Sequence, residues 1–263
     1  MAKNFLDGRN ILITGGTGSL GKVLLRRLLT GEMGTPEKII VFSRDEGKQH
    51  AIRVDYLNAE KDACDEVIYN NFRNQVQFIV GDVRNEDSIA SVLQMMDIHL
   101  VVNAAAMKHV PSCEYFPEEA VMTNVWEAAN VLRAVRKYGK TVESVIAVST
   151  DKACKPVNVM GMTKSLQERV VLQNAMSLPD VRVMAVRYGN VLASRGSVIP
   201  LFHELIRKKS PITITHEDMT RFLLSLDDAV DIIFETMKQG HTGEMYIPQV
   251  PSAKVTDIAE VLI

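Results

Sequence analysis

The chain has 263 residues, 46% of them apolar, and its 30 Lys+Arg against 32 Asp+Glu leave a net charge of -2. A sizeable core is within reach, a basic excess for nucleic-acid phosphate is absent, and the longest apolar runs fall well short of the roughly 20 residues of a membrane span. Three widely spaced cysteines (Cys64, Cys113, Cys154) exclude a disulfide framework and a metal knuckle, and with Lys3, Asp7 and Arg9 interrupting any leader the expected setting is cytoplasmic.

The elements alternate from the start. Asn10-Ile11-Leu12-Ile13 reads as a buried strand. The glycine-rich stretch Thr14–Gly21 follows, then an amphipathic helix through Val23–Leu29, closed by Gly31. Further strands are expected at 38–42, 77–80, 100–103, 145–148 and 181–186, with helices at 48–58, 117–138 and 157–176. The charged stretch from Asp45 to Asn74 is expected to carry a surface insertion. Short, nearly continuous apolar strands alternating with helices imply an α/β fold, a Rossmann-type doubly wound parallel sheet covered on both faces. From Tyr188 the alternation loosens. Loop is expected at 194–197 and at Pro200, a helix at 201–208, a strand at 212–215, a helix at 225–239 and a strand at 245–247. A helix from Val255 is still unfinished at Ile263.

Gly15, Gly18 and Gly21 recur at intervals of three, directly after a strand and opening a helix. Alone, such a triplet is weak and marks an ordinary tight turn. At the first strand–helix turn of an alternating chain it points to a dinucleotide, whose pyrophosphate sits on bare backbone N–H groups and the positive end of the helix. Thr14, Thr17, Ser19 and Leu20 complete that loop. Residues 1–187 therefore read as a dinucleotide domain and 188–263 as a smaller substrate-binding lobe. The second strand ends in Ser43-Arg44, with Lys48 one helical turn on, where an acid would mark NAD. The cations favour the 2′-phosphate of NADP, against the alternative of a solvated charge at Arg44. Asp82, followed by Val83, serves either the adenine amino group or the N-cap of the next helix.

After the fifth strand come Ser149-Thr150-Asp151-Lys152 and then Pro156-Val157-Asn158-Val159-Met160-Gly161-Met162-Thr163-Lys164, with Met160 and Lys164 on one helix face. Together with TGGTGSLGK, FSRDEGKQ, GDVRNEDS, NAAAMKHVPSCEYFPEEAVMTN, RYGNVLASRGSVIPLF and DMTRFLLSLDDAV, these blocks resemble the extended short-chain dehydrogenase/reductase superfamily. Within it, the chain is most similar to the polysaccharide-biosynthesis branch of configuration-inverting UDP-N-acetylglucosamine 4,6-dehydratases. Most of the superfamily carries a tyrosine base where Met160 stands. Met160 matches a capsule and O-antigen subgroup with Met-x-x-x-Lys.

The resemblance implies an enzyme that moves hydride from sugar carbon 4 to NADP⁺, eliminates water across carbons 5 and 6, and returns hydride to carbon 6. It implies Asp151 as acid and Lys152 as base, set against an N-cap and a surface lysine. It also implies Lys164 at the nicotinamide ribose, Asn124 as a helix-stabilising asparagine, and Ala104, Ala105 and Ala106 as small residues beside the cofactor. Lys108 and His109 follow that turn, and His109 reads equally as a substrate contact or a buried structural histidine. Tyr188, Asn190, Arg195 and Ser197 fall in the block resembling a sugar-nucleotide site, and Arg221 offers a guanidinium fork for the diphosphate. For Arg195 and Arg221 a plain surface charge is the alternative. No metal site assembles by spacing, and the resemblance implies a homo-oligomer, dimer-based and up to a hexamer. A UDP-N-acetylhexosamine 4-epimerase and a non-catalytic NADP-binding sensor are the alternative functions.

Overall fold

In the computed structural model, which describes residues 4–58, 63–189, 191 and 198–263, the first apolar run becomes β1 (Asn10–Thr14), an interior strand of a parallel sheet. All of its residues are buried. Ile11 and Ile13 face one helical layer and Leu12 the other. A strand covered on both faces has to be apolar throughout, hence the unbroken runs in the sequence. β2 (Lys38–Ser43) and β4 (Leu100–Asn103) flank β1, and β3 (Val76–Val80) lies outside β2. β5 (Ser144–Thr150), β6 (Arg182–Tyr188) and β8 (Met245–Tyr246) follow β4 in that order. Strand order therefore reverses between β1 and β4, and their carboxyl ends open a crevice there.

On one face α1 (Ser19–Leu29) and α10 (Leu226–Gln239) bury Leu24, Leu25 and Leu28 with Val230 and Ile233. On the other, α4 (Glu86–Met95), α7 (Glu127–Tyr138) and α8 (Val159–Ala175) contribute Ile89, Val131, Leu132 and Val171. Ser225 and Asp228 form a reciprocal capping box that fixes the start of α10. Short helices α5 (Val110–Tyr115) and α6 (Pro117–Val121) sit beyond β4. No helix among the described residues is long and apolar enough to cross a membrane.

Three segments differ from expectation. The stretch expected as a surface insertion folds as α2 (Glu46–Asn58) and α3 (Ala63–Gln75) and joins the core. Aromatic residues tie it in: Tyr56 stacks on Phe72 at 4.5 Å, and Phe72 meets Phe78 of β3 at 6.1 Å. The helix expected over 117–138 is interrupted by a π-helical turn at Met122–Trp126 between α6 and α7. No strand forms at 212–215. Its alternating Ile212 and Ile214 pack against Phe202 of α9 (Val198–Arg207) and Val255 of α11 (Val255–Leu262). The ribbon of this region is instead β7 (Thr220–Phe222) antiparallel to β9 (Ser252–Lys254).

The α2–α3 cover hangs on Phe72, which is 4% exposed. Phe72→Ala is expected to destabilise the protein by about 3 kcal/mol, read as a lower urea midpoint. An unchanged midpoint would mean that the cover contributes nothing to the core.

Candidate active site

A cleft of about 930 Å³ occupies the crevice at the carboxyl ends of β1, β2, β4 and β5. Gly15, Thr17, Gly18, Ser19 and Leu20 form its floor. Gly15 has φ +65°, and a Cβ there would stand 2.7 Å from the backbone of Ala105, so only glycine lets the two turns meet. Ala104, Ala105 and Ala106 line the opposite wall. α1 begins at Ser19 with no acidic residue in its first turn, leaving its N–H groups and positive dipole end to an anion. Thr14 lies beneath the floor: its Oγ1 donates to Asn103 Oδ1 at 2.6 Å and accepts from the Ala105 N–H at 3.3 Å. These features fit the pyrophosphate of a dinucleotide.

Ser43, Arg44, Lys48, Asp82 and Val83 all border one end of the cleft. Ser43 Oγ accepts from Gln49 Nε2 at 3.0 Å, and Arg44 is exposed. Asp45 also lines this end, but its carboxylate accepts from the Lys48 N–H and pairs with Lys48 Nζ. The Lys48 hydrogen bonds hold the Asp45 carboxyl below its ordinary range. Asp82 is not the N-cap of α4, because Asn85 takes that place by accepting from the Asp87 N–H. Burial raises the Asp82 carboxyl, but the hydrogen bonds from the Arg84 guanidinium and backbone outweigh it and hold the group low.

Lys152, Lys164, Met160, Tyr188, Lys108 and His109 meet at the other end. His109 is exposed there, which excludes the buried structural alternative. Lys152 stands in a 3-10 turn, Asp151–Ala153, and its Nζ donates to Asp151 Oδ1 at 3.1 Å. Asp151 itself lies just outside the lining, with Thr150 Oγ1 donating to the same Oδ1 at 2.9 Å. A Cβ on Gly161 would collide with the Lys152 carbonyl oxygen, so that glycine lets the turn rest directly on α8. Lys164 is buried and donates from Nζ to the Val148 carbonyl at 2.7 Å. Met160 packs with Cys113 and Ala120. Burial pushes the Tyr188 hydroxyl well above the ordinary tyrosine range, which keeps it protonated.

Asn124 is fully buried behind the cleft, in the π-helical turn. Its Oδ1 accepts from the Met107 N–H at 2.7 Å, and Nδ2 donates to the Met107 carbonyl at 3.0 Å and Thr163 Oγ1 at 2.9 Å. It therefore holds the wall and does not line it. Arg221, on β7, is not brought to the cleft; its Nη1 donates to the Thr220 carbonyl at 2.8 Å. Asn190, Arg195 and Ser197 lie outside the described residues.

Sequence reasoning missed a polar layer under the floor. Ser149 Oγ, at the cleft, donates to Glu168 Oε1 at 2.6 Å, and Arg187 grips the same carboxylate with Nε at 2.9 Å and Nη2 at 2.6 Å. Glu127 is also fully buried. The only signal available was acidic residues on faces that the apolar pattern turns inward.

A doubly wound parallel sheet with a glycine-floored cleft at its reversal point, and a Lys–Asp pair beside it, is a fold of the short-chain dehydrogenase/reductase type. Residues 11–263 match the family described as polysaccharide biosynthesis protein, and the chain belongs to that family. It is 42% identical over 259 residues to "UDP-N-acetylglucosamine 4,6-dehydratase (inverting)" of Campylobacter jejuni, covering 97% of this chain and 71% of that protein. It is 43% identical over 263 residues to "UDP-glucose 4-epimerase" of Rickettsia bellii, covering 98% and 71%. The solved structure of Pen from Bacillus thuringiensis superposes with a TM-score of 0.87 at 36% identity, over 98% of this chain and 76% of that one. The dTDP-glucose 4,6-dehydratase DesIV from Streptomyces venezuelae, with NAD and TYD bound, shares the fold at a TM-score of 0.80 and 19% identity, over 96% and 80%. The chain is thus a nucleotide-sugar dehydratase/epimerase relative.

Arg187→Ala would leave the Glu168 carboxylate, 6% exposed, without its cation. A loss of about 3 kcal/mol is expected, with part of it recovered in the double variant Arg187→Ala/Glu168→Gln. Additive losses in the two variants would argue against the pairing.

Proposed function

We propose that this protein is an NADP-dependent UDP-N-acetylglucosamine 4,6-dehydratase that inverts carbon 5 and serves surface-polysaccharide synthesis. One observation carries the reading: Lys152 borders the cleft in direct hydrogen bond to Asp151, an adjacent base and acid of the kind an elimination needs. The dehydratase relative at 42% identity supports it.

When bound, the nicotinamide cofactor would accept the hydride from carbon 4 and give it back at carbon 6. The floor glycines and the α1 N-terminus would hold its pyrophosphate, and Lys164 its nicotinamide ribose. Ser43 and Arg44 would meet a 2′-phosphate, since Asp45 is occupied by Lys48 and leaves no free acid for a ribose hydroxyl. Lys152 takes the carbon-5 proton, made acidic by the neighbouring ketone, and Asp151 gives a proton to the departing 6-hydroxyl. The Lys152–Asp151 hydrogen bond then lets the proton pass from base to acid. Once hydride has returned to carbon 6, a solvent-exchanged proton is delivered to carbon 5 from the opposite face, which inverts it and balances the proton given up by the carbon-4 hydroxyl. Met160 has no proton to exchange, so the carbon-4 hydroxyl gives its own to Lys152, Asp151 or a water they hold. Tyr188, Lys108 and His109 flank the sugar, with Asn190, Arg195 and Ser197 assigned to the UDP moiety. The protein works in the cytoplasm as a homo-oligomer.

The epimerase relative at 43% identity favours a second reading, a UDP-hexose 4-epimerase. That reaction needs no base at carbon 5. Incubation with UDP-N-acetylglucosamine in D₂O separates the two by NMR. A 4-keto-6-deoxy product carrying deuterium at carbon 5 is expected, and Lys152→Ala should lose that exchange while still binding NADP⁺. A 4-epimer without deuterium at carbon 5 would establish the second reading instead.

Losing a charge-assisted hydrogen bond to the 2′-phosphate should weaken NADP⁺ binding by Arg44→Ala roughly ten- to a hundred-fold and leave NAD⁺ nearly unchanged. Calorimetry of both cofactors checks this. Equal wild-type affinity for the two would rule out NADP selection.

A further inference from the structure

Glu127 takes no part in the steps above, yet its side chain is fully buried. Its Oε1 accepts from Asn103 Nδ2 at 3.2 Å and Gln167 Nε2 at 2.9 Å, while Oε2 has no partner. A carboxylate placed so is costly unless a positive charge lies near. Gln167 stands three residues beyond Lys164 on α8, so the carboxyl sits against the helix turn that carries the buried lysine. No hydrogen bond joins the two groups. They act on each other across an interior closed to water, where charges are screened far less than at a surface.

The other charges around Lys164 are matched already. Glu168, on α8 itself, also favours the Lys164 ammonium, but its carboxylate is held by Arg187 of β6. Asp151 and Lys152 pair within the 3-10 turn. On α5, Glu114 accepts from the Val159 N–H at 2.7 Å, and on α6, Glu119 pairs with Arg84 at 2.8 Å. Lys108 and His109 add exposed charge capacity only at the cleft mouth. Glu127 is the fully buried carboxyl here that has no cation of its own.

We propose that Glu127 is the buried counter-charge of Lys164 and sets the pH range over which that lysine presents an ammonium to the cleft. Glu127 is then a positioning residue, and its effect on turnover rests on the dehydratase reading, whereas its effect on Lys164 does not. Burial pushes the Glu127 carboxyl up and the Lys164 ammonium down, and each charge opposes the displacement of the other. Removing the carboxylate therefore favours the neutral amine.

The test uses the whole protein labelled with ¹³C at lysine Cε, the Lys164 signal being assigned by its absence in Lys164→Arg. In Glu127→Gln, which keeps the shape and loses the charge, the Lys164 midpoint should fall by roughly half a pH unit or more. Glu127→Asp keeps the charge and should stay close to wild type. The limb of the dehydration kcat/KM profile that follows Lys164 should move to lower pH by the same amount, whether the lysine works as ammonium or amine. A purely structural glutamate would change rates without moving the limb. An unmoved Lys164 midpoint in Glu127→Gln overturns the proposal, whatever reaction the protein catalyses. A moved midpoint in a protein that dehydrates nothing supports it and overturns the dehydratase reading alone. If Glu127→Gln does not fold, Gln167→Leu removes a donor from Glu127 Oε1, weakens the carboxylate, and should lower the midpoint in the same sense; a midpoint that holds or rises overturns the proposal.

Discussion

Asn103 ends β4 beside the end of β1, and its side-chain amide joins the two walls of the cleft. Thr14 donates to its oxygen, its nitrogen donates to Glu127, and Gln167 donates to the same Glu127 oxygen. β1, β4, α7 and α8 are thus tied by polar atoms shut off from water. A hydrogen bond of this kind contributes only about 1 kcal/mol net. Leaving a partner unmade in a dry layer costs more, so the members hold or fail together. The contact of Gly15 with Ala105 depends on this, since it requires the β1 and β4 turns to keep a fixed separation.

Above this layer, each functional side chain is fixed by a regular element or by a turn resting on one. Lys152 rides on α8 because Gly161 offers no side chain, and Lys164 is tethered to the carbonyl of Val148 on β5. Ser149 is held by Glu168, which Arg187 in turn neutralises. Bound groups would therefore meet side chains already oriented, with little ordering left to do.

What the sequence discloses of this arrangement follows from how far apart the partners lie along it. The glycine loop, Ser43-Arg44 and Asp151-Lys152 are each contiguous, and each is legible. Glu127 bonds partners 24 and 40 residues away, so on its own helix it reads as one more polar residue. Arg187 reaches Glu168 across 19 residues with the same result. Fold class is legible because the strands are buried on both faces. Alternation misleads at Ile212 and Ile214, where burial comes from packing on α9 and α11 and the segment forms no strand. It fails again at Tyr56 and Phe72, where two aromatics do the packing that an apolar face does elsewhere.

The π-helical turn at Met122–Trp126 gives the α6–α7 rod a built-in phase error. One surplus residue in the winding turns everything after it by about 100° relative to an uninterrupted α-helix. Asn124 inside the turn and Glu127 just past it are both at 0% exposure, while Trp126 between them stays about half exposed. Insertions and deletions in this rod are therefore not interchangeable with those in a loop. Shortening it by one residue would restore ordinary winding and swing α7, carrying Glu127 out of the interior and bringing an outward-facing neighbour in. Sequence length at this point is itself a structural quantity, as strictly specified as the identity of any side chain in the cleft.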